Sequence, residues 1–488
     1  MTSAGLEPQS RQRAWVSRMH GVFSRADRGT LIRRWGPPLL LVVVPVLLVS
    51  LHVRTYTKLS PIDELQHIDY MFRSPGLHQV NAGTQDSQAA MREEACRGID
   101  AVFSAPPCTD KTFKPAQFQD QGYDTAYIHP PTYYDVTWVA GEVVRATGTK
   151  SSVTAWRLVG ALWLAAGLLL TYAAGVRMGA SRLALLGLLI LLASAPSILQ
   201  TNSTVSPDAA STFIGGAALY LLCLWERAGR WRWVALVGIG VVGTAIKIQD
   251  AIVVMLIALY FLLGVRGDDS GTLTSGLDPV DREVQSGPGP TPALAMQGRS
   301  WRRLLWSTQA RAVGILVITT AVIAGTWTIV QRVTQTIDPN NLLVNKQFVV
   351  SSISLPEIAS GFGLFLAPIA GAYVPVQTQS LWTTQFVSIL TWLLIAGVVS
   401  GAMFWARSRA MASLARATLI VALLGAPLYV VLNYLTMSQY FSIPTRYGFT
   451  ILPAMVLCTA DAIRTRWAGV CVLAAGVFGV VFAAYQLA

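Results

Sequence analysis

At 488 residues the chain is long enough for two or three soluble domains, but 53% of those residues are hydrophobic and only 13% are charged. Apolar runs such as Pro38 to Val49, Leu183 to Leu192 and Ile252 to Leu263 recur too often for soluble cores, and about 20 apolar residues match a bilayer's hydrocarbon. The net charge of +12 therefore calls for no nucleic acid; it fits Lys and Arg placed on the cytoplasmic side of a membrane.

The first 36 residues hold seven arginines and two acids, and Pro37 and Pro38 lead into an apolar segment. No small-residue cleavage site follows at Ser50 to Arg54, so an uncleaved anchor with a cytoplasmic N-terminus is expected. Hydrophobicity predicts spans at 37–53, 153–176, 182–199, 207–225, 231–247, 250–265, 308–331, 384–405, 413–435, 447–463 and 467–487. The expected fold is an all-α polytopic membrane protein with about eleven transmembrane helices.

Charge orients them. The turns at Arg177 and Arg182, at Arg227, Arg230 and Arg232, at Arg302 and Arg303, at Arg407, Arg409 and Arg416, and at Arg464 and Arg466 all fall on one side, as cytoplasmic loops should. The segments 54–152 and 332–383 then form extracytoplasmic loops. Residues 37–265 and 308–488 make two membrane modules, joined by a linker at 266–307 whose Asp-, Ser-, Gly- and Pro-rich part, 267–298, reads as disordered. The stretch 361–376 is too short to span and is expected to be re-entrant or interfacial. Thr132 to Thr147, which contains Asp135, Glu142 and Arg145, must lie along the interface rather than cross. A cysteine placed at Thr149 should react with an impermeant reagent from outside; reaction only from the cytoplasm would reverse the topology.

The loop 54–152 carries twelve of the 25 acidic residues. Ser60 reads as an N-cap with Pro61 at the first helical position, which puts Asp63 and His67 at i,i+4 on one face of a short surface helix and Glu64 and His67 at i,i+3. A carboxylate beside a histidine can act as a general base, or the two can hold a divalent metal; Asp63 could also simply complete the cap. Tyr70 lies one turn further on. His129-Pro130-Pro131 is extended because each proline restricts its predecessor, and Tyr133 and Tyr134 suit a membrane interface. Cys96 and Cys108 share the same loop, where a disulfide is expected outside the cell and free thiols are the alternative. Cys223, Cys458 and Cys471 fall in apolar spans and read as packing residues.

Three more polar groups fall at extracytoplasmic helix ends: Asp208, Lys247 with Asp250, and Arg446-Tyr447. Arg446 could bind a phosphate through its planar fork and Lys247 as a point charge. Alternatively Arg446 snorkels and Lys247 pairs locally with Asp250.

A basic N-terminus, one span, Pro-x-Asp-Glu-x-x-His (Pro61 to His67) and a loop ending in His-Pro-Pro-x-Tyr-Tyr (His129 to Tyr134) resemble the GT-C superfamily of membrane glycosyltransferases, which includes the protein mannosyltransferases and aminoarabinose transferases. The resemblance implies a polyprenyl-phosphate-linked sugar donor and inverting transfer outside the plasma membrane. Asp63 or Glu64 would be the base and Asp208 the second acid, with His129 beside the donor head group. His67, Tyr70, Tyr133, Lys247, Arg446 and Tyr447 complete the expected substrate contacts, and a divalent cation is left open as a cofactor, with Asp63 and His67 as its ligands. With no large soluble C-terminal domain in the sequence, a glycan or lipid acceptor is expected rather than a protein. A transporter or flippase of lipid-linked sugars is the main rival, but it should place charges at the bilayer midplane. A non-catalytic envelope-assembly protein is the other.

Overall fold

The structure is a computed structural model that describes residues 27–76, 78–100, 104–227, 229, 231–264, 307–371, 374–375 and 379–488. Among these residues the fold is helical, with only isolated β-bridges. The basic segment 1–26 and the linker stretch 267–298 lie outside the described residues.

Seven helices are long and apolar enough to cross a bilayer: Arg34–Thr55, Ser152–Arg177, Pro207–Glu226, Thr308–Thr334, Leu381–Met403, Arg409–Met437 and Arg466–Leu487. The expected span 182–199 is instead two helices, Arg182–Ala193 and Pro196–Asn202, bent by 66°. Pro196 has no N–H to give and holds Ala195 in an extended conformation, so the helix must restart there. The other three expected spans contain the helices Arg232–Ala245, Ile252–Gly264 and Leu452–Ala462, of 14, 13 and 11 residues. At 1.5 Å per residue these reach roughly 16–21 Å, short of a 30 Å hydrocarbon core. Their ends are where Lys247, Asp250 and Arg446 sit, next to the 3-10 segments Ile248–Ala251 and Thr445–Ile451, and irregular backbone of this kind is tolerated when protein covers it.

Helices approach closely where glycines remove side chains. A Cβ on Gly187 would lie 2.6 Å from the Leu473 nitrogen, and one on Gly476 would lie 2.8 Å from the Gly187 oxygen. Alanine at either position would therefore push Arg182–Ala193 and Arg466–Leu487 apart. Around 361–376, Leu364–Leu366 forms a single 3-10 turn with Phe365 fully buried.

In the first loop, Thr132–Ala146 is a 15-residue helix that buries Tyr133, Tyr134, Thr137 and Gly141 and exposes Val136, Val139 and Val143. Cys96 and Cys108 form a disulfide with their Cα atoms 4.6 Å apart, within the range such a bridge needs. The helix expected to start after Ser60 begins later, as Glu64–Arg73. Ser60 is not its N-cap, because the Ser60 N–H donates to the Glu64 carboxylate at 2.7 Å and residues 61–63 are held as a turn. Nor does the helix lie on the surface: Glu64 to Met71 are buried.

Candidate active site

Asp63, which caps the Glu64–Arg73 helix without a side-chain capping bond, has φ 54° and ψ 16°. A non-glycine residue in the left-handed region costs of order 1 kcal/mol, and such strain concentrates at functional positions. The turn aims the Asp63 side chain, 46% exposed, at Arg446, with Oδ2 and the terminal guanidinium nitrogen 4.0 Å apart. Being surrounded by protein raises the Asp63 carboxyl pKa, Arg446 opposes that rise and Asp208 adds to it.

Arg446 lies in the 3-10 segment Thr445–Ile451, and its Nε donates to Asp208 Oδ2 at 2.8 Å. The other Asp208 oxygen accepts from the buried Lys247 ammonium. Lys247 thus pairs across the fold with Asp208 rather than locally with Asp250, and its Nζ also sits 4.4 Å from the centre of the Tyr447 ring, a cation–π distance. Asp250 is occupied by the hydroxyls of Ser211 and Thr450. Snorkelling is not what Arg446 does: its side chain is 19% exposed and ion-paired. Asp208 holds two cations side by side, and the terminal nitrogen of Arg446 that faces Asp63 stands 4.0 Å from its Oδ2, beyond hydrogen-bond distance.

The two histidines meet nearby, their rings 5.5 Å apart. His67 Nδ1 hydrogen-bonds the Tyr134 hydroxyl at 2.8 Å, and His129 Nδ1 has no partner. Burial pushes the His67 pKa down to about 3, with Asp208 opposing and Arg446 and Lys247 adding to the shift; burial, His67 and Lys247 hold His129 well below its usual value. Both are therefore neutral near pH 7, suited to hydrogen bonding rather than to carrying charge. Tyr70 and Tyr133, expected at the substrate, are core residues. Tyr70 stacks on Tyr134 with ring centres 3.8 Å apart, and Tyr133 packs on Trp163. Tyr134 is the tyrosine that reaches His67.

Glu64 does not fit the role of base. It is fully buried, and its oxygens accept from Arg157 Nε and a terminal Arg157 nitrogen, each at 2.8 Å, and from the Ser60 and Val205 N–H groups. Four donors leave no lone pair facing an acceptor sugar. Arg157 also donates to the Tyr56, Thr57 and Lys58 carbonyls, so the pair ties the end of the first span to the second and to the loop at Val205. Sequence reading overlooked Arg157, although a lone charge near the start of an apolar helix implies a buried partner. Among the described residues, the one group of three metal-capable side chains with mutually close ligand atoms is Asp69, Asp86 and Asp124.

These elements define an integral membrane protein whose ion-paired polar cluster is assembled from four separate segments. The family described as dolichyl-phosphate-mannose-protein mannosyltransferase matches residues 129–274, which bears out the resemblance to GT-C membrane glycosyltransferases. The match begins at His129 and takes in Asp208 and Lys247, under a third of the chain, while Asp63 and Arg446 lie outside it. No curated protein matches the chain.

Proposed function

We propose that this chain transfers a sugar from a polyprenyl-phosphate donor to a glycan or lipid acceptor, with inversion, on the extracytoplasmic side of the cell membrane. The observation that carries the reading is the half-exposed Asp63 carboxylate facing, at 4.0 Å, a guanidinium held by Asp208.

A lipid-linked phosphate stays at the membrane edge while its sugar projects beyond it. Arg446 and Lys247, at interrupted helix ends, would stabilise the charge that develops on the phosphate as the bond to the anomeric carbon breaks. Asp63 would take the proton from the acceptor hydroxyl as its oxygen bonds that carbon from the opposite face. The electron pair of the broken bond leaves with the phosphate. The sugar must come between Asp63 and Arg446, so donor binding would part them. The neutral rings of His67 and His129 offer hydrogen bonds to the sugar without adding charge. Asp208 fixes the cations in place of the second acid's catalytic role. No nucleotide is needed, because the leaving group is the lipid phosphate itself.

Donor binding tests this directly. Arg446→Ala should weaken affinity for a polyprenyl-phosphate sugar by roughly 10- to 150-fold, the equivalent of a charge-assisted hydrogen bond worth about 1.5–3 kcal/mol. Arg446→Lys keeps the charge but loses the fork, and should weaken binding by only a few fold. Affinities within about twofold of the unsubstituted protein for both variants would remove Arg446 from the donor site.

A further inference from the structure

We infer that Asp69, Asp86 and Asp124 form a binding site for a hard divalent cation, calcium in preference, that braces the first loop. The three carboxylates come from different segments, and their ligand oxygens all lie within 4.8 Å of one another. A calcium ion with oxygen ligands at 2.3–2.6 Å spans roughly 4.6–5.2 Å between opposite ligands, so all three oxygens are close enough to share one ion.

The second observation is what these oxygens lack. Asp86 is 4% exposed, and neither of its carboxylate oxygens has a hydrogen-bond partner; Asp124 is 1% exposed, and the Oδ2 side of its carboxyl meets no donor other than the neighbouring Asp69 carboxyl. Buried carboxylate oxygens without donors are costly, more so beside like charges. Among the described residues, Asp69 alone of the three forms an ion pair, with Arg73 2.7 Å away. Glu94, on the helix Gln88–Arg97, adds a fourth buried carboxylate with both oxygens unpartnered, and its charge acts on Asp86. Asp69, Glu94 and Asp120 all act on Asp86 and only Arg73 opposes them, an arrangement that a divalent cation would relieve. An all-oxygen donor set without nitrogen or sulfur selects a hard ion, and calcium accepts irregular geometry where magnesium demands a near-ideal octahedron.

The backbone around the group is already gathered for the purpose. Asp86 N donates to Gly122 O, Asp124 N to Thr84 O, and Ser87 N to Asp69 Oδ1. Asp69 follows His67 by two residues on the same helix, and Asp124 precedes His129 by five. A bound ion would therefore tie together the two segments that carry Asp63, His67 and His129.

The test is independent of sugar transfer. Full-length protein in detergent, stripped with a chelator, is dialysed against radioactive calcium chloride, and amide hydrogen exchange is followed with and without it. One calcium per chain is expected, with exchange slowed in residues 81–87 and 120–126. Asp86→Asn and Asp124→Asn should each weaken uptake by at least about tenfold, while Asp63→Asn leaves it unchanged. No saturable uptake by the unsubstituted protein would overturn the site. So would uptake that leaves exchange in 81–87 and 120–126 unaltered, a result that stands even if the substituted proteins fail to fold.

Discussion

Asp63→Asn is expected to lower sugar transfer by about 10²–10⁴-fold, the range for loss of a positioned general base, with donor affinity held close to that of the unsubstituted protein. The substitution is unusually clean at this position. Asparagine is among the few residues that tolerate the left-handed backbone found at φ 54°, and the Asp63 side chain makes no capping bond that would be lost. Stability should therefore change by less than about 1 kcal/mol. Turnover and thermal melting measured on the same preparation check both halves. Full turnover by the Asn variant would end the assignment of Asp63 as base.

Glu64→Gln should do the reverse. Removing one partner of a buried ion pair leaves the other charge uncompensated, at a cost of about 3–5 kcal/mol, so the variant should melt well below the unsubstituted protein or fail to accumulate. Arg157→Met should behave alike. Replacing both residues with apolar ones should not restore stability, because the Ser60 and Val205 N–H groups and the carbonyls of residues 56–58 would still lose their partners. Chemical unfolding in detergent separates the roles of neighbouring acids. A Glu64→Gln protein as stable as the parent but without turnover would return the catalytic role to Glu64.

The contrast between these two residues shows where the sequence could be read and where it could not. Spacing placed Asp63, Glu64 and His67 on one short helix, and the membrane-edge positions of Asp208, Lys247 and Arg446 were visible as charges at the ends of apolar runs. Which carboxylate stays free was not visible, since that depends on Arg157, 93 residues further along. The same limit applies to Lys247, whose partner Asp208 is 39 residues away while Asp250 is three. Local patterns favour local pairings, and a folded interior does not. The helix start differs for a related reason: Ser60, Pro61 and the following acids have the composition of a cap, but Glu64 accepts from the Ser60 N–H and from Arg157, and the helix begins there. Long apolar helices were legible from hydropathy alone. The short ones around 231–264 and 445–462 were not, because hydropathy counts apolar residues and does not register the breaks that admit a polar site. The Asp69, Asp86 and Asp124 group was hidden altogether, its members scattered over a loop with no metal-ligand spacing.

The central claim, a transferase whose base is Asp63, is tested most directly by incubating purified protein with radiolabelled polyprenyl-phosphate sugars and an envelope extract supplying glycan, lipid and peptide acceptors. The account predicts label moving from the polyprenyl phosphate into a glycan or lipid product with the unsubstituted protein. It predicts that Asp63→Asn binds the donor and transfers almost nothing. Donor moved intact across a vesicle membrane with no product formed, or equal product from the Asp63→Asn protein, would contradict it.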